Sequence, residues 1–172
     1  MINGTAISYL NLVFISDINS KKKERNNMKK KGIGFWILIS ISSLLVIMFL
    51  VGQTLSLFNY NLTLELGLQE SEKEVGKVGI AFLKGYAFGD SIVYIPLLIA
   101  GIFGLLNNRR WGKYSMFAAL SISVYWPATI LYAIFIERIA ITLQPDKYIS
   151  FSILLPSIMI FGLWGMRYLY KK

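Results

Sequence analysis

At 172 residues, 55% hydrophobic and 16% charged, the chain carries more apolar surface than one soluble core of its size can hide, soluble proteins being about 45–50% apolar and about 25% charged. Histidine and cysteine are both absent, which removes thiol redox chemistry, disulfides, haem ligation by either residue, Cys–His dyads and most zinc sites. There is also no glycine-rich phosphate loop with its lysine, so an autonomous ATPase is disfavoured, and neither a cofactor nor a metal is expected.

Residues 1–32 form a basic N-terminal segment. Its first 27 residues are mixed and weakly apolar, whereas Met28-Lys29-Lys30-Lys31 directly precedes an apolar run. That pattern predicts either a native start at Met28 or disorder over residues 1–27. A cleaved signal peptide has the same basic-then-apolar order, but the run here exceeds an h-region of about 7–15 residues and no clear small-x-small site follows.

The first expected membrane span covers residues 33–58 and holds no charge. An extracytoplasmic loop over 59–84 follows. In it Leu62, Leu64, Leu66 and Leu68 alternate with a period of two, which predicts an extended strand at the interface. Glu70, Glu72 and Glu74 end that pattern, and Val75, Val78 and Phe82 have the spacing of a short interfacial helix. Asn61-Leu62-Thr63 matches a glycosylation acceptor, a three-residue match that chance often produces.

The second span is placed at 85–107. Its strictly apolar part, Ser91 to Asn107, is short of the ~30 Å hydrocarbon slab, so the helix must extend outward through Tyr86, Phe88 and Asp90. A cytoplasmic loop at 108–113, a third span at 114–136, an extracytoplasmic loop at 137–148, a fourth span at 149–170 and a tail at 171–172 complete the chain. The expected fold is therefore all-α: a polytopic membrane protein with four transmembrane helices in an up-down bundle and both termini inside.

Charge sets the orientation, because lysine and arginine beside the spans stay on the cytoplasmic side. Thirteen of the 18 basic residues fall on the side of the N-terminal cluster, the Arg109-Arg110-Lys113 loop and the tail; Lys73, Lys77, Lys84, Arg138 and Lys147 fall on the other. Trp36, Trp111 and Trp164 sit at the same interface by this scheme. The net charge of +9 is then a topological signal, and nucleic acid is not an expected partner. The expected partners are the bilayer of the cell (plasma) membrane and anionic head groups at its inner leaflet, with a homo-oligomer or another membrane protein left open.

Few polar groups lie at membrane depth. Asp90 stands roughly one turn below the outer interface, where a lone carboxylate is unfavourable unless it is paired, protonated or facing a cavity. Lys84 and Arg138 are its candidate partners and Tyr94, one turn on, shares its face. The alternative is that Asp90 caps a helix N-terminus. In Tyr125-Trp126-Pro127, the proline frees the carbonyl of Ser123 and predicts a kink that Tyr125 and Trp126 line, with Thr129 satisfying part of the backbone; a purely structural kink is the alternative. Asp90, Tyr94, Tyr125, Trp126 and Arg138 thus form the candidate polar pocket, and no residue is assigned a catalytic role. Gly101 and Gly104 in the second span and Gly162 and Gly165 in the fourth lie at similar depth, which predicts a close approach of those two helices. Gly85 and Gly89 form a further small-xxx-small pair.

Gly89-Asp90, Pro96-Leu97-Leu98, Gly101-Ile102-Phe103-Gly104-Leu105-Leu106, Arg109-Arg110-Trp111-Gly112 and Tyr125-Trp126-Pro127 resemble the pattern of small four-helix membrane proteins of bacteria and archaea whose activity is uncharacterised. The resemblance spans about Gly85 to Ile130 and implies a fold without an activity. Three function classes follow from the residues. A non-enzymatic accessory or regulatory membrane protein fits the small size and short loops best. A transporter or channel component would bind a small ligand at Asp90 and the aromatic kink. A lipid-acting enzyme would use Asp90 or Glu137 as acid or base.

Overall fold

A computed structural model describes residues 31–136, 141 and 143–171. The chain divides into two units, Met1–Ile37 and Leu38–Lys172. In the described part of the first unit Phe35 N–H donates to Gly32 O at 2.9 Å, and the Lys31 ammonium lies 4.7 Å from the centre of the Phe35 ring.

Seven α-helices are described: α1 (Ile33–Phe49), α2 (Leu55–Phe58), α3 (Tyr60–Glu65), α4 (Glu72–Gly89), α5 (Ile95–Leu106), α6 (Arg110–Ile136) and α7 (Pro145–Tyr170). A π-helical turn, Leu50–Thr54, joins α1 to α2, and a second, Asp90–Tyr94, joins α4 to α5. The result is four helices long and apolar enough to cross a membrane: Ile33–Phe58, Glu72–Leu106, Arg110–Ile136 and Pro145–Tyr170. Only 28–33% of each apolar window is buried within the structure. Most of that apolar surface faces outward, as hydrocarbon solvation requires and a water-soluble core forbids.

One expectation for residues 59–84 needs correction. Among the described residues there is no strand: the alternating leucines begin in α3, capped by the Asn59 side chain accepting from Leu62 N–H at 3.1 Å. Leu66 N–H then donates to Leu62 O and Leu68 N–H to Thr63 O, so local helical bonds take up the backbone that a strand would have left open. The short helix expected around Val75, Val78 and Phe82 is present and begins at Glu72, leading on to the second apolar stretch. Its start is a capping box in which Ser71 N–H and Oγ–H both donate to Glu74 Oε2, at 2.7 and 2.9 Å. One residue inside α4 departs from helical geometry, Gly76 at φ 71°, ψ 172°, a conformation open essentially to glycine alone.

The second π-turn has a local cause. Pro96 lacks an N–H, and its ring crowds the carbonyl of Ile92 four residues back; widening the helix over Asp90–Tyr94 relieves that clash without breaking the span.

The connection between α5 and α6 is short and well capped. Arg109 N–H donates to Gly104 O at 2.7 Å and Asn108 N–H to Leu105 O at 3.2 Å, the paired bonds of a Schellman cap, with Asn108 left-handed at φ 55°. Here the glycines pack, though not as expected. A Cβ on Gly104 would lie 2.3 Å from Gly112 Cα, and one on Gly101 would lie 2.8 Å from Met116 Cα. A Cβ on Gly162 would lie 2.8 Å from Val124, and one on Gly165 2.8 Å from Leu120. Both pairs therefore serve α6, which runs between α5 and α7, rather than bringing the second and fourth spans together. The reason is topological: the short α5–α6 turn and the length of α6 place it as the shared neighbour. Gly85 and Gly89 face open space. Between apolar helices in lipid, such close backbone approach supplies the packing attraction that burial from water supplies elsewhere.

Candidate functional site

Asp90 is the first residue of the second π-turn and lies well inside the helical stretch that runs on from the Gly76 break to Leu106. The capping alternative is thereby removed, since helical residues precede Asp90 back to the Gly76 break. Only 6% of Asp90 is exposed, and its Oδ2 has no hydrogen-bond partner. Of the two expected cations, Lys84 is described and does not pair with it. Lys84 instead lies over the Tyr60 ring at 5.2 Å, because helical geometry carries it toward the end of the span, and Arg138 lies outside the described residues.

Around the carboxyl group, all four spans contribute to a narrow, mostly apolar space nowhere wide enough for a water molecule. Phe49 from the end of α1, Tyr94 from the π-turn and Trp126 from α6 form its aromatic walls, closed by Ile122, Ser123 and Ile158. Phe49 meets Tyr94 edge-on at 4.8 Å between ring centres and Trp126 edge-on at 5.6 Å, arrangements that fix both rings. Ser123 donates to Ala119 O at 3.1 Å, leaving its oxygen to accept from Tyr94 O–H at 2.7 Å. Trp126 Nε1 is buried without a partner. One site thus holds an orphan carboxyl oxygen and an orphan N–H, a rare combination in a native interior.

Of the five residues expected in this pocket, Asp90, Tyr94 and Trp126 come together. Tyr125 does not: it is 71% exposed on the outer face of α6, one residue around the helix from Trp126. Pro127 is fully buried, and Thr129 Oγ1 donates to Trp126 O at 2.8 Å rather than to the Ser123 carbonyl that the proline frees.

A polar line runs from this site to the Glu74–Lys147 end of the spans. Beside Asp90, Ser91 Oγ donates to Ala87 O and accepts from Thr54 Oγ1 at 2.8 Å, tying the two π-turns together. Next to Thr54, the carbonyl of Gly52 accepts from Gln69 Nε2 at 2.9 Å, and Gln53 Oε1 lies 3.5 Å from the same nitrogen. The widened turn leaves that carbonyl available, which is why a side chain reaches it. Gln69 O in turn accepts from Lys147 Nζ at 3.3 Å. Lys147 Nζ lies 3.1 Å from both carboxylate oxygens of Glu74, donating to Oε2 and meeting Oε1 as an ion pair without hydrogen-bond geometry. Both side chains are largely buried, at 16% and 9% exposure.

Burial and the charges of Glu70 and Glu74 push the Tyr60 phenol up to about 12, so it stays a donor, and it donates to Glu70 O at 2.8 Å. Burial raises the Glu70 carboxyl above its ordinary range, the nearby Lys147 charge opposing. Sequence reasoning missed this cluster apart from its acidic residues. The Ser71-x-x-Glu74 box was a readable signal, as was the polar trio Gly52-Gln53-Thr54 late in an otherwise apolar run; the Lys147 pairing, across 73 residues of chain, left none.

The chain matches no protein-family model, no curated protein and no solved structure. What the site can do therefore rests on its own chemistry. Among the described residues no cluster of three or more acidic side chains could hold a metal ion. The carboxyl can carry or release a proton, and it can meet a small polar or cationic guest if the aromatic walls part.

Proposed function

We propose that this chain is a multi-pass protein of the cell membrane, non-enzymatic, acting as an accessory or regulatory component whose working part is the Asp90 site. The observation that carries the proposal is the convergence of the unpaired Asp90 Oδ2 and Trp126 N–H on one buried space. Leaving both unsatisfied costs about 1–3 kcal/mol each, a cost that packing alone would remove by substitution. The bias of thirteen basic residues against five supports cytoplasmic termini; a reporter fused to the C-terminus should be active only inside the cell.

The Asp90→Asn substitution tests the role. The variant should insert and stay monodisperse in detergent like the wild type, yet fail to restore whatever phenotype deletion of the protein produces. Full complementation would refute the proposal.

The second reading is a small-ligand transporter or channel component. It is favoured by the polar line from Lys147 and Glu74 through Gln69 and the paired π-turns, since π-turns recur at functional sites and polar residues at membrane depth mark pathways.

A further inference from the structure

The proposed role of Asp90 leaves open what it binds, and the geometry narrows the answer. A carboxylate held in hydrocarbon surroundings must be neutralised by a cation or a proton. Among the described residues, Lys84 lies over Tyr60 and Lys147 is paired with Glu74. Each element facing the carboxyl adds no charge of its own. The first span contributes Phe49, α6 contributes Ile122, Ser123 and Trp126, and α7 contributes Ile158. Tyr94, already donating to Ser123, is the only titratable group in the lining. Because the space does not admit even a water molecule, a hydrated metal ion or an ammonium ion does not fit the closed site, and the lining side chains offer a bare ion only Asp90 and two hydroxyls already bonded to each other.

Resting on that functional reading, we infer that Asp90 is a proton-binding site filled from the Glu74–Lys147 end, with the segment around Gln69 as its outer closure. A proton delivered by external water bonds to a carboxylate oxygen of Asp90, neutralising it; release reverses the same bond, with no electron transfer. The route is the line of exchangeable groups already described. Gln69 and the Glu74–Lys147 pair seal the wet end; behind them Gln53, Thr54 and Ser91 provide an amide and two hydroxyls, Ser91 being the residue that follows Asp90 in the chain. At the opposite end no comparable entrance exists among the described residues: α5 and α6 are in backbone contact at Gly104 and Gly112.

Infrared spectroscopy of the full chain in lipid nanodiscs tests this. At neutral pH the wild type should show the carbonyl band of a protonated carboxylic acid that Asp90→Asn removes and Glu70→Gln, the control for the buried Glu70 carboxyl, leaves in place. On transfer to heavy water that band shifts as the acid exchanges its proton. Exchange should run at least about threefold faster in Gln69→Ala, which opens the closure, and at least about threefold slower in Thr54→Val, which removes a relay hydroxyl. A wild type without the band, or a band that survives Asp90→Asn, overturns the proton assignment. Unchanged exchange in both Gln69→Ala and Thr54→Val overturns the route. An absent band together with failed complementation by Asp90→Asn rejects the proton while keeping the binding role; a present band with full complementation keeps the proton and rejects the role.

Discussion

The two ends of the second membrane helix are held by opposite means. At the α5–α6 end, Gly104 and Gly112 bring two backbones into direct contact, and a Schellman cap closes the turn over them. At the α4 end, contacts are made by side chains: a capping box, an amide reaching into a π-turn, a buried ion pair and a hydroxyl pair. Backbone contacts of the first kind have one solution, and any added atom is a clash. Side-chain tethers of the second kind can be exchanged one at a time, each at modest cost. Physically, the first end is an anchor and the second is where alternative arrangements are accessible. The unpaired Asp90 lies on the second side of that divide.

The contrast can be broken most directly at the anchor. Gly104→Leu should have the largest effect, since its first side-chain atom already falls 2.3 Å from Gly112 Cα. The expected outcome is loss of monodisperse protein in detergent, beyond the ~1–3 kcal/mol typical of overpacking, because backbone cannot move aside as a side chain can. A normal elution profile and melting curve would refute the contact.

Lys147→Met should cost less, about 2–4 kcal/mol, by leaving the buried Glu74 carboxylate without its cation. Adding Glu74→Gln should recover part of that loss, which a double-mutant thermal melt would measure. Additive losses would mean that the pair contributes nothing beyond its separate side chains.

Smallest is Glu70→Gln. Burial raises the Glu70 carboxyl in the folded chain, so folding is most favoured below the ordinary carboxylate range and loses stability as pH rises through the raised value. Glutamine removes that loss. Its melting midpoint should exceed the wild type's by roughly 1–3 °C at neutral pH and converge with it in acid. A gain that persists unchanged in acid would assign the effect to packing.

Much of the fold was legible because membrane helices announce themselves by composition over long windows. All four runs appear as helices, and the second is helical through Tyr86, Phe88 and Asp90, as the shortness of its strictly apolar part required. The period-two leucines misled because alternation over a few residues cannot outweigh the local bonds of α3, and those bonds depend on Asn59 as a cap. The glycine positions were readable as packing sites, whereas their partner was not: depth along the membrane fixes which residues are level, and says nothing of which helix stands between them. At the site, Asp90 and Trp126 stood out as polar atoms in apolar stretches, while Ser123 and Phe49 became meaningful only through contacts made across the bundle. Tyr125 was misassigned because a step of one residue turns a helical side chain through about 100°.

That same angle gives the second π-turn a wider meaning. One additional residue in a coil of fixed pitch leaves everything beyond it rotated against everything before, so the α4 and α5 portions of a single rod present different stripes to their surroundings. Removing one residue between 90 and 94 would restore an ordinary coil and swing the acidic group away from the tryptophan. In evolutionary time the inserted residue and the carboxylate should therefore have been acquired, and should be lost, as a pair.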